Sequence, residues 1–473
     1  MFIEKKTLTF SQAQSRSIIG GDRMNEYFHS VTLDEEKCKG CTNCIKRCPT
    51  EAIRVRKGKA RIIAERCIDC GECIRVCPYR AKKAITDPLE IIKNYKYKVA
   101  IPAPTIYGQF RAARSTNHLL TAFKLLGFDH VYEVAKAAEI VSNATRELMK
   151  KNNFRKPLIS SACPAVVRLI QVRFPSLIDN ILKLESPMEL AARIVKDELV
   201  KNENMRIEDI GVFFITPCAA KVTSIKAPYE SEKSCVDGAI SIKDIYLKLL
   251  NALGEVKEEA EEQLVKSGFE GIRWASSGGE SLALGTDNFL AVDGIHNVIS
   301  ILEELENDKL KDVDFIETLA CQGGCLGGAL TVENLYVAKT RIKKFIDMAK
   351  KNSVEDNSAN IYEYDLLWTR NVEHKPIMQL DDDFEVAMQK LETLRTISED
   401  LPGLDCGACG APNCKALAED IVRGNANETD CVFKLREKVR ALTIQMMEIE
   451  SMMPPVLDKD DKNSDKTDKK DKY

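Results

Sequence analysis

Cysteine is the residue type with most chemistry to offer here: the chain has 17 in 473 residues, and most stand at regular spacings. Cys38, Cys41, Cys44 and Cys48, followed by Pro49, recur as Cys67, Cys70, Cys73 and Cys77, followed by Pro78. Three closely spaced thiolates can wrap three corners of a cubane, and the fourth ligand then comes from the other repeat. The expected ligand sets are Cys38, Cys41, Cys44 and Cys77 for one [4Fe–4S] cluster, and Cys67, Cys70, Cys73 and Cys48 for a second. The prolines turn the chain away from each cluster and remove a backbone donor there. Zinc, the rival metal, uses paired C-x2-C hooks across a long gap instead. Two copies of one small unit, neither able to bury a core alone, read as an electron relay.

A third local group, Cys406, Cys409 and Cys414, has its fourth member, Cys431, one helix-length further on. Four more cysteines stand alone: Cys163, Cys218, Cys321 and Cys325. Cys235 is left over and reads as a small buried hydrophobe. In an intracellular protein such spacing points to metal rather than disulfides.

The isolated cysteines need a scaffold to gather them. From about Tyr97 to Lys350 apolar strand-like runs alternate with longer helical segments. Residues 98–101, 157–159, 211–215 and 315–319 each run into a turn or a cysteine loop. That order implies α/β layers with parallel strands, whose ligands sit at the carboxyl ends of the strands. The expected division is an N-terminal extension (1–30), a two-cluster domain (31–90), an α/β domain (91–350), a linker (351–385), a C-terminal cluster domain (386–450) and a disordered tail (451–473). Met24 reads as the start of translation, because the preceding residues are bland and lack a secretory apolar run. The net charge of −3 and 30% charged residues give no reason to expect nucleic acid or a membrane surface as partner. No apolar stretch is long enough to span a bilayer.

The segments around the dispersed cysteines are specific: SSACPAVV at 160–167, ITPCAAK at 215–221 and ETLACQGGCLGG at 317–328. Together with GFDHVYEV at 127–134, ESPMEL at 185–190 and VDGAIS at 236–241, they make residues 30–345 resemble the [FeFe]-hydrogenase large subunit. The resemblance implies a catalytic domain with parallel-sheet lobes around a central metal cluster, preceded by a ferredoxin-like α+β domain and followed by a small iron–sulfur domain. It implies that Cys163, Cys218, Cys321 and Cys325 hold a [4Fe–4S] cluster. Cys325 would also bridge to a two-iron subsite carrying CO, CN⁻ and an azadithiolate. Lys221 would meet a cyanide as a buried cation meets an anion, Pro217 and Ser161 would line the same pocket, and Gly323 and Gly324 would let backbone approach the cluster. LPGLDCGACGAPNC at 401–414 similarly resembles a small four-cysteine domain found on several redox proteins. It would carry a further [4Fe–4S] cluster on Cys406, Cys409, Cys414 and Cys431, with zinc as the alternative.

The departures bear on mechanism. Active members of that family have a cysteine immediately before the first cluster cysteine, and it passes the proton. Ala162 stands there and has no ionisable group. The methionines of the second and third signatures are Thr216 and Leu319, and an aromatic residue after the first is Val166. Glu139 and Glu147 are the candidates for an upstream proton path. Loss of a positioned proton donor costs about 10²–10⁴ in rate. The combination resembles the sensory branch of the family: a cytoplasmic protein that interconverts H2 with protons and electrons slowly. Its implied partners are ferredoxin or another redox protein, hydrogenase maturation proteins and a signalling partner. Two alternatives stand beside it, a ferredoxin-dependent hydrogenase with full turnover, and a non-catalytic iron–sulfur scaffold or assembly protein without the two-iron subsite.

Overall fold

The computed structural model describes residues 28–151, 154–352, 364–377 and 379–452. The expected start at Met24 lies outside them, as does the expected tail (451–473) beyond residue 452; Ser451 closes the last helix. Eleven strands run through the described chain: β1 Val31–Leu33, β2 Ile53–Arg56, β3 Lys59–Ile62, β4 Lys82–Ala84, β5 Tyr97–Pro102, β6 His130–Val131, β7 Leu158–Ile159, β8 Ile210–Thr216, β9 Gly238–Ser241, β10 Phe289–Asp293 and β11 Phe315–Leu319.

Two short antiparallel pairs, β1–β4 and β2–β3, frame the repeated cysteine motifs as a ferredoxin-like unit. Next comes the α/β part, with two parallel sheets in the orders β6-β5-β8-β9 and β10-β11-β7. The central strand β8, Ile-Gly-Val-Phe-Phe-Ile-Thr, is buried at every position. A parallel strand covered by helices on both faces needs such an unbroken apolar run. β11 is equally buried although it carries Glu317 and Thr318, so its polar residues must find partners inside the protein.

Each cysteine signature follows a strand and opens a helix. β7 leads to Cys163 and the helix Pro164–Arg173, with Pro164 at its first position, where a missing N–H costs nothing. β8 leads to Cys218 and the helix Ala219–Lys226. β11 leads to the loop of Cys321 and Cys325. Because β5 pairs with β8 and β7 pairs with β11, the carboxyl ends of both sheets deliver their loops to one place.

The ferredoxin-like unit is locked to this place through Asp69, whose side chain is fully buried. Asp69 accepts from the Ser30 and Val31 amides (3.1 and 3.0 Å), the Thr223 hydroxyl (2.9 Å) and Arg168 (3.3 Å). The C-terminal domain docks on the other side of the same unit. The Val55 amide donates to the Gly410 carbonyl (2.7 Å), Arg56 donates to the Cys409 carbonyl (2.8 Å), and Arg54 and Arg56 share Asp420 (2.6 and 2.8 Å). Gly410 has φ +80°, and a Cβ there would lie 1.9 Å from the Val55 carbonyl oxygen. Only glycine allows this approach.

Residues 364–377 lie against the α/β part. The Trp368 indole donates to the Leu184 carbonyl (2.7 Å), the Glu185 amide to Leu366 (2.7 Å) and the Lys375 amide to Gln171 (2.9 Å). Leu366 and Val372 are buried there. No helix among the described residues is long and apolar enough to cross a membrane.

Candidate metal centres

Sixteen cysteines fall into four groups of four, each lining its own cavity. Cys38, Cys41, Cys44 and Cys77 line one, and Cys48, Cys67, Cys70 and Cys73 a second, so the fourth member does cross between repeats. Cys406, Cys409, Cys414 and Cys431 line a third. The dispersed Cys163, Cys218, Cys321 and Cys325 line the fourth, which has about 100 Å³ open to the centres of water-sized molecules. Cys235 is partly buried away from all four cavities, its amide donating to Glu189 (2.8 Å). Burial raises its thiol pKa to about 11.

The groups are stacked in order. The third touches the first unit at Gly410 and Cys409. The first and second share one ferredoxin-like unit. The second meets the fourth at Arg75, which donates to the Cys321 sulfur (3.4 Å), to the Gly327 carbonyl (3.3 Å) and to the Cys70 carbonyl (3.2 Å).

Lys221 and Pro217 line the fourth cavity, together with Ala162, Leu319, Met188 and Trp274. The Lys221 ammonium, one turn into the helix opened by Cys218, places a positive charge that acts on Cys218, Cys325, Glu230 and Glu280. Ser161 does not line the cavity. Its hydroxyl turns to the Leu184 carbonyl (3.4 Å), while the neighbouring Ser160 donates to Glu280 (2.6 Å), a carboxylate that does line the cavity. Side chains alternate along extended chain, so a one-residue difference exchanges the faces. Gly323 and Gly324, both at positive φ, are required by protein contacts: a Cβ at Gly323 would lie 2.5 Å from Leu335, and one at Gly324 2.6 Å from the Ser277 amide. Thr216 caps its own loop by accepting from the Cys218 amide (3.0 Å), and Val166 is fully buried.

Of the two glutamates singled out for a proton path, Glu139 is largely buried and accepts from the Gly268 and Gly271 amides (2.7 and 3.2 Å). Glu147 is exposed and paired with Lys150 (2.6 Å); a solvated helix face takes it out of any interior path. Two carboxylates that sequence reasoning missed line the cavity itself. Glu280 is 3% exposed and accepts from the Ser160 hydroxyl (2.6 Å). Glu317 is 1% exposed and accepts from the Gly278 and Ser281 amides (2.9 Å each) and the Ser281 hydroxyl (2.8 Å). Burial first, and then the Glu317 charge, push the Glu280 carboxyl up to about 8. Burial also raises Glu317. An acidic residue inside the apolar run FIETL was the available signal for Glu317. Glu280 gave none.

Three family models match the chain. The iron only hydrogenase large subunit, C-terminal domain, matches residues 96–279 and 255–329. A 4Fe-4S dicluster domain matches 30–78, and an Fe-S cluster family matches 401–433. Residues 96–329 carry the iron-only hydrogenase large-subunit domain, and the chain is homologous to iron hydrogenases. It is 29% identical over 212 residues to the periplasmic [Fe] hydrogenase large subunit of Nitratidesulfovibrio vulgaris, a match covering 41% of this chain and 50% of that one. It therefore spans about half the length of that relative. It is 22% identical over 414 residues to iron hydrogenase 1 of Clostridium pasteurianum, covering 72% of each. It is also 25% identical over 295 residues to the "Probable cytosolic Fe-S cluster assembly factor oxy-4" of Caenorhabditis elegans, covering 50% of this chain and 64% of that protein.

The residues of this hydrogenase homologue fit iron–sulfur clusters. Burial holds the Cys163 and Cys325 thiols above the ordinary range and Cys218 at about 12, and in each case the neighbouring cysteines add to the rise. These three thiols, which face one apolar hollow together with Cys321, give up their protons to water reluctantly, but a soft iron centre takes cysteine as thiolate.

Proposed function

We propose that the chain is an [FeFe]-hydrogenase-like protein that interconverts H2 with protons and electrons slowly, in a hydrogen- or redox-sensing role. One observation carries this reading: a single buried cavity gathers Cys163, Cys218, Cys321, Cys325 and Lys221, with Ala162 in its wall where active relatives have a proton-passing cysteine. The four cysteines would hold a [4Fe–4S] cluster, and Cys325 would also hold a two-iron subsite with CO, CN⁻ and azadithiolate ligands. When bound, that group supplies reversible H2 cleavage. Lys221 would orient it by donating to a cyanide. Met188, Trp274 and Leu319, which line the cavity, would exclude water from around it. Cys38, Cys41, Cys44 and Cys77, then Cys48, Cys67, Cys70 and Cys73, would hold the two relay clusters. Cys406, Cys409, Cys414 and Cys431 would hold a fourth at the outer end.

In this reading, electrons are exchanged with ferredoxin or another redox protein, maturation proteins insert the two-iron subsite, and a signalling partner in the cytoplasm takes the output. Infrared bands of metal-bound CO and CN⁻, in protein made with maturation machinery, support it. Their absence favours a scaffold or assembly role; the Caenorhabditis elegans relative is named as an assembly factor. A second reading, full turnover by a different proton route, is favoured by Glu280. This carboxyl lines the cavity and is raised enough to hold a proton near neutral pH. H2 production at the rate of ordinary hydrogenases would establish it over the sensory role.

A further inference from the structure

The last helix, Val432–Ser451, is 20 residues long, and every position from Leu435 onward is exposed. It nevertheless carries a regular apolar stripe. Val432, Leu435, Val439, Leu442, Met446 and Ile449 follow one another at steps of three and four, the a and d positions of a heptad seam. Their exposure runs from 46% at Leu435 to 70% at Met446. The helix is anchored at its first turn by Lys434, which pairs with Asp400 (2.6 Å), and by Cys431 in its cavity. Beyond that turn a lone amphipathic helix is marginal in water, and a continuous apolar stripe marks an interaction face.

The charges say what covers it. Lys434, Arg436, Lys438 and Arg440 lie in the first half with one acid, Glu437, whereas Glu448 and Glu450 lie in the second. That is the reverse of what the helix's own dipole favours. A neighbour running antiparallel turns the arrangement into an attraction. The basic half then lies along the acidic half of the partner and its negative C-terminal end. A parallel copy would set basic against basic. In the antiparallel register Val432 faces Ile449, Leu435 faces Met446 and Val439 faces Leu442, so the seam is covered by its own counterpart. Residues 453–473, rich in Asp and Lys, have too few apolar residues to cover it themselves.

We propose that this helix pairs antiparallel with the same helix of a second copy of the chain, giving a two-fold symmetric dimer. With a rise of about 1.5 Å per residue, the two Cys431 residues then stand about 30 Å apart at opposite ends of the rod.

Sedimentation of the full-length, cluster-loaded protein over a range of concentrations tests this. The expected result is a concentration-dependent species of twice the 53.0 kDa chain mass. Val439→Asp with Leu442→Asp should abolish it without changing iron content, because both positions are already in water. Arg436→Glu with Lys438→Glu should weaken dimerisation roughly five- to tenfold, and adding Gln445→Lys with Glu450→Lys should restore it. A wild type monomeric at every concentration, or a dimer that survives Val439→Asp with Leu442→Asp, overturns the proposal. A dimer indifferent to the charge reversals overturns the antiparallel orientation.

Discussion

Glu280→Gln is the substitution that separates a proton-handling carboxyl from a packing one. The amide keeps the shape of the side chain and can still accept from Ser160 Oγ, 2.6 Å away, but it cannot exchange a proton. Burial and the Glu317 charge raise Glu280 to about 8 from an ordinary 4.5. A carboxyl raised in the folded state contributes fully to stability below its unfolded value and loses that contribution as pH rises through the folded one. At pH 7 the interval of about 2.5 units corresponds to about 3 kcal/mol lost, and above pH 8 to about 5 kcal/mol. The Gln variant has no such loss. Its melting midpoint should therefore match the parent near pH 4.5 and exceed it increasingly up to pH 8. Turnover should move the other way. With viologen as donor and the CO and CN⁻ bands intact, H2 evolution should fall about 10²-fold or more, the scale for a positioned proton donor. A variant that is more stable above neutral pH yet turns over within twofold of the parent would refute the assignment and leave Glu280 as packing.

Ala162→Cys should raise H2 evolution in the matured protein, because it restores a titratable group to the cavity wall; an unchanged rate would count against the broken-relay argument. Lys221→Met keeps the length of the side chain but removes the cavity's cation, so retention of the CO and CN⁻ bands after gel filtration should drop while the cysteine-bound iron stays. Asp420→Ala leaves Arg54, 6% exposed, without its carboxylate. Loss of one partner from a buried pair costs about 3–5 kcal/mol, which should undock the C-terminal domain and make it the first target of limited proteolysis. Gly410→Ala should produce the same cleavage pattern by a steric route, since its Cβ would strike the Val55 carbonyl.

How much was legible in the sequence depends on whether a residue's partners are local. The two repeated motifs and the C-terminal group declare themselves because most members of each set lie within ten residues of one another. The dispersed four were legible only through their surrounding signatures. Their convergence depends on β5 pairing with β8 and β7 with β11, and no local pattern encodes that. Glu280 was missed because its role arises from the helix Gly279–Leu284 packing beside the end of β7. Ser161 falls outside the cavity lining because a motif match does not fix which way each residue of the extended chain faces. Arg54 and Arg56, in a short hairpin where basic and apolar residues alternate, look like solvated side chains; the distant Asp420 gives them another role.

The buried charges between domains point to one requirement. Arg54 and Asp420 are 6% and 7% exposed, Arg66 meets Glu419 in the same layer, and Asp69 is buried against Arg168 on the opposite side of the ferredoxin-like unit. Ion pairs removed from water are weak sources of stability, since desolvation consumes most of the Coulomb gain, and an apolar contact of the same size would hold the domains at least as well. What they supply is a single orientation: a guanidinium and a carboxylate accept few geometries, whereas apolar surfaces slide. Each pair sits where one cysteine group adjoins the next, at Cys409 and Gly410 beside Val55, and at Asp69 between Cys67 and Cys70. In the proposed relay, electron passage would fall steeply with distance, so those junctions would tolerate less movement than folding alone demands. Under that proposed function the charged contacts would fix the spacing of the cysteine groups, and their desolvation cost would be met for that geometry.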